Sequence, residues 1–350
     1  MGFIDADAHV DETVQTWDYI DPELERFRPV LFDPPGGNGF LARDDRPHGM
    51  WLIGGNVRLK RYRSDQKTGT TVATRELFDI PARLRDMDAL GIDVQVLYGT
   101  MFIHAVTDHA DVEYAVHSSY NRWLADRTAS SGGRLKWAYL PPVLSMDKAV
   151  AGMKWAKEHG ACAVAKKGVE YNRTAADPMF FPLYEEAERL GLPVCFHTGD
   201  GDLHSNAGEG ASMQHWAVIA ASAALLNDRI PQRFPGLRWG FVEAGATWVP
   251  EVLKLVSMRG RASFKGDYKS EFLRANNIYI TCDTEDDIPF LVNNFGGADY
   301  LMIGTDYSHQ DLSAELHAHR AVVEMGDKGD ISPAVAQRIV ETNGRVLYAL

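Results

Sequence analysis

"FIDADAHVDE", Phe3 to Glu12, opens the chain with an apolar pair and then sets Asp5, Asp7 and His9 on alternate residues. Side chains of a β-strand alternate between its two faces, so these three are expected to point the same way. Whether that way is into a core or out to water decides what they can do, and the rest of the chain supplies the answer.

Short apolar runs alternate with amphipathic stretches along the whole sequence. The spacing predicts strands at 3–9, 93–99, 135–142, 162–168, 193–199, 238–245, 278–283 and 300–306, each rich in β-branched or aromatic residues. Helical patterns lie between them at 80–91, 111–129, 145–160, 177–191, 212–229, 247–260 and 285–295, and 332–349 closes the chain. Eight strands alternating with helices imply a parallel sheet, and eight is the number that closes a (β/α)8 TIM barrel. A doubly wound open sheet is the rival architecture, but the sequence carries no Gly-rich nucleotide fingerprint to support it. The chain, 1–350, is therefore read as one barrel domain.

One segment breaks the rhythm. Residues 10–79 separate the first two strands, and within them "GMWLIGGNVRLKRYR" (49–63) reads as a hairpin turning at Gly54-Gly55. An insertion after a barrel strand emerges on the catalytic face, so 10–79 is expected to form a lid over the site. Trp17, Trp51 and Tyr62 favour packing of this segment over a loose loop.

In a barrel, the shared direction of Asp5, Asp7 and His9 is inward, where branched apolar residues normally fill the space. Polar side chains there are costly unless they bind something. Asp7 and His9, near the strand's C-terminal end, are candidate metal ligands, and Asp5, one layer deeper, is expected to be a buried hydrogen-bonding residue. Other strand ends repeat the pattern. "VCFHTGDGD" places His197 at the end of the fifth strand, "FVEAGATW" places Glu243 at the end of the sixth, and "MIGTDYSH" places Asp306 at the end of the eighth. These side chains converge on the barrel mouth. Asp7, His9, His197 and Asp306 suit one Zn²⁺, Mn²⁺ or Fe²⁺ ion.

Composition narrows the classes further. A net charge of −12 argues against a nucleic-acid partner. Cys162, Cys195 and Cys282 show no CxxC spacing and are expected to be buried, reduced thiols. No targeting signal is visible, and the longest apolar run, Trp216–Leu226, is too short to span a bilayer. A cytoplasmic enzyme acting on a small-molecule substrate is expected, with no membrane partner.

The phrases "DADAHVDE", "IPARLRDMDALGIDVQVLY", "YNRWLAD", "DPMFFPLYEEAERLGLPVCFHTG", "RFPGLRWGFVEAGATWVP", "IGTDYSH" and "ETNGRVLYAL" together resemble the amidohydrolase superfamily. They resemble in particular the branch that includes aminocarboxymuconate-semialdehyde decarboxylase and γ-resorcylate decarboxylase. The resemblance implies a catalytic metal. Asp7 and His9 match the first-strand ligand pair, His197 the fifth-strand ligand, and Asp306 the eighth-strand Asp that both touches the metal and shuttles protons. Glu243 departs from the pattern, standing where those decarboxylases often have His. Hydrolysis and non-oxidative decarboxylation of a carboxylate-bearing or aromatic molecule are both implied. An alternative is a dinuclear-iron oxygenase on the same fold, and a second is a non-catalytic metal-binding partner subunit. For a second metal, Glu243, His104, His204, His215 and Lys167 are the candidate extra ligands. Asp306, Glu243 and His215 are the candidate catalytic residues. Arg58, Lys60, Arg61 and Arg63 could clamp a substrate carboxylate, and Trp51, Phe102, Trp216 and Trp248 could line an aromatic pocket. A homo-oligomer, most simply a dimer, is expected by analogy.

Overall fold

The computed structural model describes residues 2–33, 48–199, 211–258, 271–310 and 313–350; residues 34–47 of the insertion and His204 lie outside them. Eight parallel strands pair in chain order: β1 (Ile4–Val10), β2 (Val94–Gly99), β3 (Leu135–Tyr139), β4 (Ala161–Lys167), β5 (Val194–His197), β6 (Trp239–Val242), β7 (Ile278–Cys282) and β8 (Leu301–Ile303). The chain running on from β8 closes onto β1 through a parallel bridge between Ala8 and Tyr307. The amides of His9 and Asp306 each donate across this seam, to the carbonyls of Tyr307 and Asp7, at 2.9 Å. The fold is a TIM barrel.

Helices fill the connections: α1 (Ile80–Leu90), α2 (Ala110–Thr128), α3 (Met146–Glu158), α4 (Phe181–Leu190), α5 (Ala211–Asn227), α6 (Val249–Met258), α7 (Ile288–Phe295) and α8 (Ala318–Lys328). Local chemistry sets their ends. In α1, Asp79 caps the first turn by accepting from the Ala82 amide at 2.8 Å, Pro81 occupies the first turn, and Gly91 ends the helix at φ 79°. No helix among the described residues is long and apolar enough to cross a membrane. The last expected helix, 332–349, is instead three pieces: Pro333–Gln337, a π-helical Arg338–Thr342, and Asn343–Tyr348. The widened turn brings Asn343 to the Ala298 and Leu301 carbonyls beside β8. It also carries Leu347 and Tyr348 into the barrel interior.

That interior combines small strand residues, among them Ala6, Val96, Ala138, Ala163, Cys195 and Val242, with the larger Tyr98, Met302, Leu347 and Tyr348. Other large side chains of the same strands, Trp137, Phe196, Trp239 and Phe241, pack outward in the helix-facing layer. All three cysteines are buried and free.

The alternation expected for β1 does not hold throughout. Its register against β2 shifts between Asp5 and Ala8, so a bulge interrupts the pleat. Ala6 packs in the interior, whereas Ala8 and Val10 pack in the helix-facing layer. Asp5 joins Gln95, which Arg83 of α1 also contacts, on that outer side. The carboxylate accepts from Gln95 Nε2, the Thr305 amide and Thr305 Oγ1 at 2.6–2.8 Å. Burial raises its pKa to about 6 against these hydrogen bonds. Asp5 is thus the buried hydrogen-bonding residue expected, but it does not share a face with Asp7 and His9.

The described parts of the insertion are packed. Val30–Phe32, His48–Ile53 and Asn56–Arg61 form an antiparallel sheet, and Ile53 pairs with Asn56 across a two-residue turn at Gly54 and Gly55. Both glycines have positive φ, 54° and 88°, as a type I′ turn requires. Trp51 meets Trp17 edge-on, and Trp17 meets Phe102 after β2. Trp17 is fully buried. Trp17→Ala is expected to cost about 3–5 kcal/mol of unfolding free energy by urea denaturation; a loss under about 1 kcal/mol would show that the insertion packs loosely on the barrel.

Candidate metal centre

The barrel mouth gathers Asp7 and His9 from β1, His197 from the end of β5, Glu243 just after β6, and Asp306 and His309 beyond β8. None is more than 7% exposed. His197 Nε2 lies 3.3 Å from Asp7 Oδ1 and 3.2 Å from Glu243 Oε2. His9 Nε2 lies 3.5 Å from Asp7 Oδ1, 3.4 Å from Glu243 Oε2 and 3.5 Å from Asp306 Oδ1.

Backbone geometry holds these groups in place. Glu243 and Asp306 have positive φ, 56° and 50°, which is unusual for side chains other than glycine and recurs at functional sites. The Glu243 amide donates to Thr281 Oγ1 at 2.8 Å. Gly304 lets the two strands meet: a Cβ there would stand 2.5 Å from the Cβ of Asp7.

Three observations fit this group to a divalent cation. The first is spacing: donors about 2.1 Å from one tetrahedral ion stand about 3.4 Å apart, close to the separations above. The second is unmet bonding: His9 is fully buried, yet neither ring nitrogen has a hydrogen-bond partner, and Glu243 Oε2 has none. The third is orientation: His197 donates from Nδ1 to the Thr198 carbonyl at 3.1 Å, which leaves the lone pair of Nε2 facing the carboxylates.

The electrostatics agree. Burial favours neutral His9, but Asp7 and Glu243 override it and push its pKa up to about 10. Burial would raise Asp7, but His197 and His9 hold it well below the usual carboxylate range. Without a metal, a proton on His9 offsets the carboxylates; a cation bound by the same atoms would take over that role.

His309 was not singled out in the sequence, although it stands in the same "GTDYSH" phrase as Asp306. Positive φ at Asp306 and at Ser308 (90°) bends the chain so that the His309 ring stacks on His9, with centroids 3.9 Å apart. His309 Nδ1 is 2.6 Å from Asp306 Oδ1. Burial, with the charges of His9, Arg63, His197 and Arg61, holds His309 well below the usual imidazole range.

Other expected site residues fall elsewhere. His215 is half-buried in α5, and His104 ends the short helix Met101–Ile103; neither joins the donor groups among the described residues. Lys167 lines a narrow cleft of about 20 Å³ beside His197, together with Tyr98, Phe102, Leu140 and Thr198. Phe102 alone of the four aromatic candidates lines it: Trp51 is in the core, Trp216 is 60% exposed, and Trp248 packs on Phe241. Arg58 donates to the Ala105 carbonyl and Lys60 to the Glu12 carbonyl, so both tie the hairpin down. Arg63 pairs with Asp11 at 3.3 Å.

A model of the amidohydrolase family matches residues 4–350. The chain belongs to the amidohydrolase family. Among solved structures, an amidohydrolase from Mycobacterium avium subsp. paratuberculosis K-10 superposes with a TM-score of 0.78 at 17% identity, over 100% of this chain and 98% of that one. The 5-carboxyvanillate decarboxylase of Novosphingobium aromaticivorans DSM 12444, complexed with manganese and 4-hydroxy-3-methoxy-5-nitrobenzoic acid, gives 0.58 at 20% identity over 77% and 79%. The 4-oxalomesaconate hydratase of Rhodopseudomonas palustris gives 0.63 at 15% identity over 99% and 95%. At these identities the likeness shows the shared fold.

Gly304→Ala would press a methyl group against Asp7 while leaving every donor in the chain. It is expected to weaken Mn²⁺ or Zn²⁺ binding by about 10–100-fold, measured by calorimetry on chelator-stripped protein. Unchanged affinity would show that Asp7 is not held by this contact.

Proposed function

We propose that this amidohydrolase-family protein is a metal-dependent enzyme that converts a small carboxylate-bearing or aromatic molecule by hydrolysis or non-oxidative decarboxylation. The observation that carries the reading is a buried donor group that opens onto a cleft bordered by an ammonium group and aromatic rings. Asp7, His9, His197 and Asp306 hold the metal in this reading, with Glu243 beside them. A bound Zn, Mn or Fe ion would supply Lewis-acid chemistry, either lowering the pKa of water to about 7 or gripping a substrate carboxylate.

The chain's own groups then have distinct tasks. Asp306 carries the proton: in hydrolysis its carboxylate takes one from water, and in decarboxylation the carboxyl group, first protonated from solvent, delivers that proton to carbon as carbon dioxide leaves and returns to the carboxylate. Glu243 is a second carboxylate for the same proton traffic. Lys167 offers a cation to the substrate's carboxylate, and Tyr98 and Phe102 bound the space for its body. The described parts of the 10–79 insertion cover the mouth in this reading, a role supported by the Lys60 and Arg63 contacts that fasten the hairpin to Glu12 and Asp11. Arg61 and Arg63, whose charges bear on His309, add positive potential there.

A second reading, a dinuclear-iron oxygenase, draws support from the extra donors Glu243 and His309. Metal analysis of protein purified without chelators, followed by assays on hydroxybenzoates, lactones and amides with and without oxygen, separates the readings. Product release without oxygen supports the first, and strict oxygen dependence supports the second.

Asp306→Asn keeps the side chain's shape and one coordinating oxygen but removes the titratable group. It is expected to lower turnover by about 10²–10⁴-fold while retaining metal. Near-normal turnover with metal bound would move the proton role to Glu243.

A further inference from the structure

A cavity of about 320 Å³ lies on the flank of the barrel, between α2 and α3 and apart from the metal centre. Tyr114, Ser118 and Arg122 reach it from one face of α2, at steps of four residues, and Lys148, Gly152 and Trp155 reach it from one face of α3. Tyr139, the last residue of β3, and Pro142 just beyond it line the cavity from the barrel side.

The walls are held in place. A Cβ on Gly152 would stand 2.5 Å from the Tyr139 hydroxyl, so only glycine lets that ring lie beneath α3. The same hydroxyl donates to the Ala149 carbonyl at 3.0 Å. From α2, Asn121 donates to the Leu140 carbonyl at 2.9 Å and accepts from the Leu140 amide at 3.0 Å. Leu140 also lines the cleft beside His197, so the cavity and the cleft border the same strand end.

The lining offers rings and positive charge. Among the described residues, two cations line the cavity and no carboxylate does. Their situations differ. Arg122 already donates to both oxygens of Asp21, at 2.6 and 3.0 Å. Lys148 pairs with no carboxylate among the described residues; its ammonium lies 4.1 Å over the Tyr114 ring. A contact with a ring face steadies the ammonium and leaves its charge uncompensated.

We propose that this cavity binds a small aromatic carboxylate, its ring against Tyr114, Tyr139 and Trp155 and its carboxylate on Lys148 Nζ. A neutral apolar ligand would leave the Lys148 charge unmet, and an inorganic anion would leave the three rings uncovered. An aromatic anion satisfies both. The volume is of the order that small-molecule sites have, roughly 300–1,000 Å³. The proposal is independent of the metal-dependent reading, because no lining residue is a donor at the barrel mouth.

The test is the binding of 4-fluorobenzoate to full-length, chelator-stripped protein, followed by fluorine nuclear magnetic resonance, with no metal present to take the carboxylate. The wild-type chain is expected to bind the probe, and to bind the uncharged 4-fluorobenzamide about 10-fold more weakly. Lys148→Met is expected to weaken 4-fluorobenzoate binding by about the same factor. Ala151→Trp, which fills the cavity from an exposed position on its rim, is expected to remove binding. No binding to the wild type, including the case in which a second copy of the chain fills the cavity in solution, would overturn the proposal. Binding left intact in both folded variants would also overturn it. So would binding that Lys167→Met removes and Lys148→Met does not, since the probe would then sit in the cleft. Equal affinity for the benzamide would overturn the role of Lys148. Each of these failures leaves the metal-dependent reading standing.

Discussion

Closure of the barrel between β1 and β8 is the constraint on which the site depends. The amides of Thr305 and Asp306 both donate to the Asp7 carbonyl, and the His9 amide donates to Tyr307. The hydrogen bonds that complete the sheet therefore also set Asp7, His9 and Asp306 side by side. Gly304 makes the approach possible because it has no side chain where Asp7 needs room. Behind the seam, Asp5 ties Thr305 to Gln95, and Arg83 ties Gln95 to the His9 carbonyl. A buried polar network of this kind is stabilising only when fully satisfied, and it fixes a single register for the strands that carry the donors.

The fold and the convergence of Asp7, His9, His197, Glu243 and Asp306 were legible in the sequence because both follow from local rules. Apolar runs of strand length alternate with helical periodicity, and a polar residue closing an apolar run marks a strand end. The direction of Asp5 was not legible, since a bulge changes the parity of a strand without a reliable signature in its residues. His309 was missed for a related reason. It stands three residues beyond Asp306, and only positive φ at Asp306 and Ser308 folds it back over His9. The fates of Arg58 and Lys60 were hidden too, because a basic residue in a hairpin reads the same whether it meets solvent, a substrate or a backbone carbonyl.

Glu243 stands at the barrel mouth where the resemblance to the decarboxylase branch implies an imidazole. An imidazole at that place could act as a neutral base or a charged acid near neutral pH. A carboxylate there instead adds negative charge to a mouth already holding Asp7 and Asp306, and it offers two oxygens where an imidazole would offer one nitrogen. Both changes raise the demand for cations. The same carboxylate makes the mouth a poorer host for a bare anionic substrate unless metal, Lys167 or the hairpin arginines supply the opposing charge.

The central claim is that the donors at the β1–β8 seam form a metal centre. Anomalous diffraction from crystals grown with Mn²⁺ tests it most directly. The account predicts a peak within about 2.0–2.2 Å of His9 Nε2 and His197 Nε2, with oxygens of Asp7 and Asp306 completing the shell. Strong anomalous peaks only at the protein surface, with His9 and His197 still facing bare carboxylates, would contradict it.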